Sequence, residues 1–381
     1  MALQSAFTLT ANDIFSTLAN MIISQEVFAD NFGKHQTLVD KARVDGSLYG
    51  DRKLYYSVDA LKTNAWGKDS EASNLLSLDR PADPDVQAIV LDKFRQIRLT
   101  VDNYLTKRAW ADEGAFSAFN NVMLAQMRET KRIYDGTNYN VYIGTTVSSA
   151  TKNTKSVTLS GTNDGQAIAQ AMADLLVEMS DYSRDFNDYG NIRSYAPEDI
   201  KVVWNSKFVN KIRKVDTPTI FHNQGLVDKL DEDVLPARYF GTIITTSNYS
   251  NYSAATPTTG KPIDSDTGAY TPGSNNANGC LRSAVEQDVT VGGDTYHLFA
   301  GDELPSGAVV YASSAIAIPC YIEDAKVIAK VVVKLPPYMS AMEAGTSFFN
   351  ARSLTENHYL TFGHNTLAYL KNYPFVTIKQ A

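Results

Sequence analysis

The residues able to do chemistry are few and scattered along the chain. The five histidines are His35, His222, His297, His358 and His364. Only the last two lie close together, six residues apart on a strand-like segment, so they share one face of a strand. Two imidazoles without a cysteine or carboxylate cluster make a poor metal site. We therefore expect structural or surface roles for the histidines, with no metal and no cofactor.

Two further patterns resemble functional sites without completing them. Asp264-Ser-Asp266-Thr-Gly268 begins like a calcium loop, but its twelfth position is Asn275, where the motif needs a bidentate glutamate. His297, Asp302 and Ser306 could form a hydrolase site, although the chain has no G-x-S-x-G and no H-E-x-x-H motif. The leading expectation is that the chain is not an enzyme, and the hydrolase stays an alternative.

Composition narrows the class of protein. The 381 residues are 44% hydrophobic and 20% charged, as in an ordinary folded protein, and the net charge of −7 argues against a dedicated nucleic-acid binder. Only two cysteines occur, so a disulfide scaffold is not expected. The first residues lack the pattern of a signal peptide, and the longest apolar stretch is too short to span a bilayer. We expect a protein made in the cytoplasm, with no membrane contact.

Apolar periodicity predicts the elements that must position any site. Helical spacing is found at residues 8–31, 111–132, 164–188 and 205–213, and the second of these helices is expected to end before Asp135-Gly136. Strand-like patterns are found at residues 139–146, 156–160, 200–204, 309–321, 325–334, 358–362, 367–370 and 375–378, with a hairpin over 289–299. Residues 241–293 are rich in Ser, Thr, Asn, Gly and Pro and predict a polar surface insertion.

An unusual pair of extended segments lies between the first two helices. Residues 51–59 alternate as a strand, a second strand starts at Val86 and runs toward Trp110, and a polar connection far longer than a hairpin loop joins them. A two-stranded arm is barely stable alone, so we expect a neighbouring subunit to support it. The predicted inter-subunit contacts are Leu54, Tyr56, Val58, Trp66, Arg95, Ile97 and Leu99. Interrupted charges along the arm suit subunit pairing better than phosphate binding.

This order of elements resembles the major capsid proteins of tailed bacteriophages, which share the α+β Hong Kong 97 fold. Ala196-Pro-Glu-Asp-Ile-Lys-Val-Val-Trp-Asn205 resembles the family's entry into the axial domain, and Tyr373-Pro-Phe-Val-Thr-Ile-Lys379 resembles its last strand. The resemblance implies the following parts: an N-terminal arm at 1–45, an extended loop at 46–110, a peripheral domain with its spine helix at 111–199, an axial domain at 200–335, and a return to the peripheral domain at 336–381.

The resemblance also implies a function and partners. Many copies, as hexamers and pentamers, would form an icosahedral shell that encloses double-stranded DNA without sequence-specific binding. The extended loop starts near residue 46, which leaves no room for the family's N-terminal scaffolding region, so a separate scaffolding protein is expected. A portal and, in some members, decoration proteins would join a virion assembled in the host cytoplasm. A tail-tube or surface-layer subunit is the alternative within structural proteins.

Overall fold

The computed structural model gives the fold and, for most of the chain, the side-chain contacts. It describes residues 38–46, 51–63, 80–102, 113–161, 163–213, 231–243, 280–282, 287–291, 293–298, 320–324, 326–344 and 348–381. The helix predicted at 8–31, the calcium-like loop at 264–268 and most of the polar stretch at 241–293 lie outside these residues.

Four helices and sixteen strands are described. The helices are α1 (Leu38–Ala42), α2 (Glu113–Thr145), α3 (Asp164–Ser180) and α4 (Ser206–Arg213). The first eight strands are β1 (Arg43–Asp45), β2 (Arg52–Ser57), β3 (Asp85–Asp102), β4 (Thr154–Val157), β5 (Lys201–Asn205), β6 (Asp231–Leu235), β7 (Gly241–Ile243) and β8 (Cys280–Arg282). The others are β9 (Gln287–Val291), β10 (Asp294–Leu298), β11 (Cys320–Glu323), β12 (Val327–Val332), β13 (Tyr338–Ala344), β14 (Phe348–Asn350), β15 (Thr355–Asn365) and β16 (Phe375–Gln380).

A six-stranded sheet contains both predicted arm strands. Its order is β1-β13-β15-β3-β2, with β14 paired to β15. The antiparallel pairing of β3 with β15 runs from Thr355 opposite Asp102 to Asn365 opposite Leu91. The expectation that a neighbouring subunit must support the arm is therefore wrong for β3, because β15 of the same chain supplies its backbone partners.

A five-stranded sheet of order β4-β16-β12-β5-β6 carries the main core. The apolar stripe of α3 is buried with this sheet, as the helical spacing predicts, and consists of Ile168, Met172, Leu175, Leu176 and Met179. Its strands come from three segments of the chain. The resemblance assigns these segments to the peripheral domain, the axial domain and the return to the peripheral domain. Those domain bounds stay a prediction.

The remaining strands form two small sheets. One has the order β7-β11-β8, and the other is the β9–β10 hairpin. Gly293 turns this hairpin with a φ of 100°, a left-handed conformation that favours glycine. The predicted hairpin is thus confirmed.

Helix α2 corrects two sequence predictions at once. It runs through Asp135-Gly136, where a stop was expected, and includes residues 139–145 of the segment 139–146 that alternates like a strand. Asp135 is not a turn residue here, because its buried carboxylate pairs with Lys131 one helical turn earlier. Tyr139, Val141 and Ile143 are all buried, since the core surrounds this part of the helix. Burial on every side removes the helical period on which the prediction relied.

The last turn of α2 is held by direct contacts with its neighbours. A Cβ added to Gly144 would lie 2.0 Å from the carbonyl oxygen of Tyr239, so only glycine lets the two backbones approach this closely. The helix has no basic residue in its last turn. Lys330 of β12 supplies the cation instead, and its Nζ donates to the carbonyl of Thr146 and to Oγ1 of Thr377, both at 2.8 Å. A cation in this position complements the helix dipole.

Lys330 should make stability depend on pH. Burial lowers its pKa to about 7, whereas the unfolded chain has an ordinary lysine near 10.5. Between these values the unfolded state binds more protons, so the free energy of unfolding should rise by about 2 kcal/mol from pH 7 to pH 9. Urea unfolding at both pH values should show this rise in the native chain and not in Lys330→Met.

The matched control is Lys334→Met, which alters an exposed lysine of the same segment. It should keep the native pH dependence. Parallel pH profiles for Lys330→Met and the native chain would contradict the assignment.

Candidate functional site

The hairpin of β2 and β3 is the feature that sequence analysis singled out for function. Its antiparallel register runs from Arg52 opposite Val90 to Ser57 opposite Asp85. Residues 58–84 connect the two strands, which confirms the predicted long connection. In the described residues β2 lies at one edge of the six-stranded sheet.

A β-bulge divides β3 into two parts. On the β15 side, the successive residues His364 and Asn365 pair with Lys93 and Leu91, so Asp92 is the extra residue. The carboxylate of Asp92 accepts hydrogen bonds from the backbone N–H of Thr366 at 2.7 Å and from its hydroxyl at 2.6 Å. These bonds fix the position of the bulge.

The bulge changes which face of the sheet each side chain occupies. In a regular strand, Ile97 and Leu99 would lie on the opposite face of the sheet from Val86 and Val90, because successive side chains alternate between the faces. The extra residue in the bulge reverses this alternation, so all four side chains lie on the same face. The contacts of Gly363 agree with this change. A Cβ there would lie 2.9 Å from Leu91 and 3.0 Å from Phe94, two residues that simple alternation would separate.

One face of the hairpin is buried. Ile89 and Leu91 of β3 pack with Met339, Ala341 and Leu370 in a small core of their own. Complete burial of one such side chain contributes about 1.5–3 kcal/mol. This face therefore holds the hairpin against the rest of the chain.

The other face of the hairpin carries an apolar stripe. We define the stripe by Leu54, Tyr56, Val58, Val86 and Val90, whose exposed fractions are 44%, 65%, 60%, 49% and 40%. Tyr56 and Val86 are directly opposite each other across the two strands. A contiguous apolar surface of this kind normally marks an interaction site.

The predicted contact residues fall into three groups. Leu54, Tyr56 and Val58 are exposed, as expected, and Trp66 lies outside the described residues. Ile97 and Leu99 are only partly exposed in the single chain. They are partly covered because β15 pairs with β3 beside them and α2 packs against β3.

Arg95 has an intrachain neighbour that sequence reasoning missed. Its guanidinium lies 5.5 Å from the ring centre of Tyr134 in α2, a cation–π geometry. The side chain is partly buried. Arg95 therefore helps to attach α2 to the sheet within one chain.

The loop end of the hairpin is tied to the body by a polar latch. We define the latch as Ser57, Asn191, Arg193 and Asn372 with their hydrogen bonds. Asn191 Nδ2 donates to Ser57 Oγ at 2.9 Å and to Asp85 Oδ2 at 3.1 Å, and Ser57 Oγ donates to Asn372 Oδ1 at 2.6 Å. Arg193 Nη2 donates to the carbonyl of Val58 at 2.5 Å. The arm therefore does not project freely at this point.

Asp59 continues the attachment beyond the latch. Its carboxylate accepts the backbone N–H of Ile192 at 2.9 Å and pairs with Arg184 Nη1 at 2.6 Å. The N–H of Ile192 and the charge of Arg184 lower the pKa of Asp59 to about 2. Nothing in the local sequence predicted this site, because its donors come from a loop far along the chain.

Comparisons with known proteins were made on the sequence and on the fold. No protein-family model matches the chain, and no curated protein matches it. A capsid structure of Staphylococcus phage Andhra superposes with a TM-score of 0.55 at 10% identity and covers 91% of this chain and 84% of that one. The chain has a phage capsid fold. A structure titled as head fiber and inner core protein gp22 of bacteriophage P68 gives the same TM-score and identity, with 90% and 84% covered.

The capsid fold confirms the predicted α+β class and the resemblance drawn from the order of elements. Sequence identity of 10% establishes the fold alone. The predicted contact residues of the arm therefore stay a prediction at this point, as do the bounds of the domains.

The candidates for other chemistry gain no support. His297 lies on β10, while Asp302 and Ser306 lie outside the described residues. His364 is buried, and His358 is partly exposed with its Nε2 3.9 Å from Glu356. Within the described ranges no three His, Cys, Asp or Glu side chains are grouped as metal ligands. None of the described helices is both long and apolar enough to cross a bilayer.

The latch predicts an asymmetry between two substitutions. Asn191→Ala should lower the free energy of unfolding by about 1–3 kcal/mol, because it removes the hydrogen bonds to Ser57 and to the partly buried Asp85. Arg184→Ala removes a solvent-exposed ion pair with Asp59 and should cost less. Denaturant unfolding of both variants measures the difference, and a loss for Asn191→Ala no larger than that for Arg184→Ala would contradict the prediction.

Proposed function

We propose that this chain is the major capsid protein of a tailed phage. The observation that carries the proposal is the likeness to a phage capsid structure over 91% of the chain. Many copies close into an icosahedral shell, as hexamers and pentamers, around double-stranded DNA. The protein acts as a structural subunit of the virion and not as an enzyme.

The apolar stripe supports this proposal, because it is a surface suited to a neighbouring copy. Its five side chains are 40–65% exposed in a single chain. Burial of apolar surface contributes about 25 cal/mol per Å², so the free energy of each contact is modest. Many such contacts add up in a closed shell. We propose Leu54, Tyr56 and Val58 as its central contact residues, with Trp66, Arg95, Ile97 and Leu99 along the same arm.

The latch supports the same interpretation. Hydrogen bonds from Asn191 and Arg193 hold both strands at the loop end of the hairpin. A stripe held in one position presents its side chains to a neighbour without a further loss of conformational entropy. Weak contacts can then select a single geometry.

The charge of the chain fits the enclosure of DNA without binding to it. The net charge of −7 supplies no overall attraction for phosphates. Confinement by a closed wall needs no base contacts, so we propose no sequence-specific interaction. A separate scaffolding protein, a portal and decoration proteins are the further partners proposed, with assembly in the host cytoplasm.

A single substitution in the stripe tests the contact. Tyr56→Glu introduces a charge at a side chain that is 65% exposed, so it should block assembly and leave the melting temperature unchanged. Tyr182→Glu is the matched control, because Tyr182 is 76% exposed, follows α3 and is not part of the stripe. Sedimentation and electron microscopy of particles measure assembly. If Tyr56→Glu forms normal shells, the stripe is not a subunit contact.

Shortening the connection tests the arm as a whole. Deletion of residues 62–84 leaves only residues 58–61 between Ser57 of β2 and Asp85 of β3, a connection of ordinary hairpin length. The strands and the latch residues are retained, so the chain should fold but fail to form closed shells when co-expressed with its scaffolding protein. Closed particles of normal size would rule out the arm as the principal contact, and tubes would favour a tail-tube subunit.

A further inference from the structure

A buried polar cluster joins α2 to the six-stranded sheet. Lys131 Nζ lies 2.5 Å from Asp135 Oδ2, and these side chains are 7% and 1% exposed. Tyr338 of β13 donates its hydroxyl to the other carboxylate oxygen at 2.6 Å, and Lys131 donates to Ser340 Oγ at 3.1 Å. The long helix therefore meets the sheet through ionised groups and not through apolar packing alone.

His364 of β15 lies beside this cluster with both ring nitrogens engaged. Its Nδ1 is 2.9 Å from the backbone oxygen of Asn365, which can only accept, so Nδ1 carries the proton. The Nε2 atom is then an acceptor, 3.0 Å from the hydroxyl of Tyr134 in α2. The imidazole ring stacks on Tyr338 with centroids 5.6 Å apart and 16° between the planes. The packed joint therefore fits a neutral imidazole, and burial of the ring to 5% exposure disfavours a charge on it.

Charged side chains of three elements surround the joint. Asp135 of α2 and Asp92 and Arg95 of β3 act on His364 directly. Lys131 of α2 and Arg43 of β1 pair with Asp135, at 2.5 Å and 3.5 Å. Three cations and two anions already occupy the joint. A proton on His364 would add a fourth positive charge in a buried place.

We propose that His364 makes the joint between α2 and the six-stranded sheet acid-sensitive. The packed joint holds the neutral ring, which accepts the hydroxyl of Tyr134 and stacks on Tyr338. Protonation places a hydrogen on Nε2, so the Tyr134 hydroxyl has to turn and accept, and the ring then carries its charge in a buried site. The opened joint lets water solvate the imidazolium, so acid favours opening of α2 from β15.

The difference in the pKa of His364 between the packed and the open joint gives the direction of the pH effect and the pH range in which it occurs. Burial lowers the pKa of His364, and Arg95 adds to this, while the Asn365 carbonyl and the charges of Asp135 and Asp92 oppose it. An exposed histidine has a pKa near 6.5. As the pH falls below this value, the open joint takes up a proton that the packed joint resists. The ratio of open to packed joint should therefore rise by up to about tenfold for each pH unit of acidification, until the packed form is itself protonated.

Hydrogen exchange of the full chain, followed by mass spectrometry, tests the proposal. Exchange is compared at pH 7.5 and pH 5.5 for the native chain, for His364→Gln and for His358→Gln. Because intrinsic exchange is nearly the same in all three chains, their comparison at each pH isolates opening. Peptides covering residues 127–139 and 358–365 should open several-fold more often at pH 5.5 in the native chain and in His358→Gln, and not in His364→Gln.

Two results would overturn the proposal. One is an acid-linked rise in exchange that persists in His364→Gln, and the other is its absence from the native chain. A direct titration of His364 by NMR keeps the test independent of the variants. The imidazole should titrate below about 6.5, and titration at or above this value would also exclude an acid-sensitive joint.

Discussion

Backbone pairing between β3 and β15 is the interaction on which the other features depend. It joins Asp102 to Thr355 and Leu91 to Asn365, so that two distant chain segments become neighbouring strands. Without it, β3 would have only the short β2 as a partner and would be a marginal two-stranded ribbon. With the β3–β15 pairing, one face of the hairpin is buried, and the other face presents the stripe in a fixed position. Helix α2 also finds its place through this pair, because Tyr134 contacts Phe362 and His364 of β15.

The helix and the sheet meet around a buried carboxylate. Asp135 pairs with Lys131 of its own helix and with Arg43 of β1, and it accepts the hydroxyl of Tyr338 of β13. One carboxylate therefore ties three elements together, and loss of Lys131 would leave its charge poorly compensated. The arm extends from this sheet, and the latch holds its loop end. The position of the stripe therefore follows from contacts made at two separate places.

Local patterns predicted those elements whose environment is the same along their length. The α3 stripe packs in a single core, and strands β5, β12 and β16 are short apolar runs buried between the two main cores, so these patterns identified them. The predicted end of helix α2 was too early, because the core surrounds the second half of this helix. The bulge left no clear signal, because apolar residues occur at both even and odd positions before it, such as Val90 and Leu91. The latch left none either, since Ser57, Asn191 and Asn372 meet only through the tertiary fold.

Strand β16 has a consequence for how the chain folds. It lies between β4 and β12, and Phe375, Val376 and Ile378 fill space that both main cores share. The five-stranded sheet cannot close until residues 375–380 have been synthesised, although α2 and α3 are made long before. Such a topology has many contacts between distant residues and folds slowly. A nascent chain therefore cannot complete this sheet before β16 has left the ribosome.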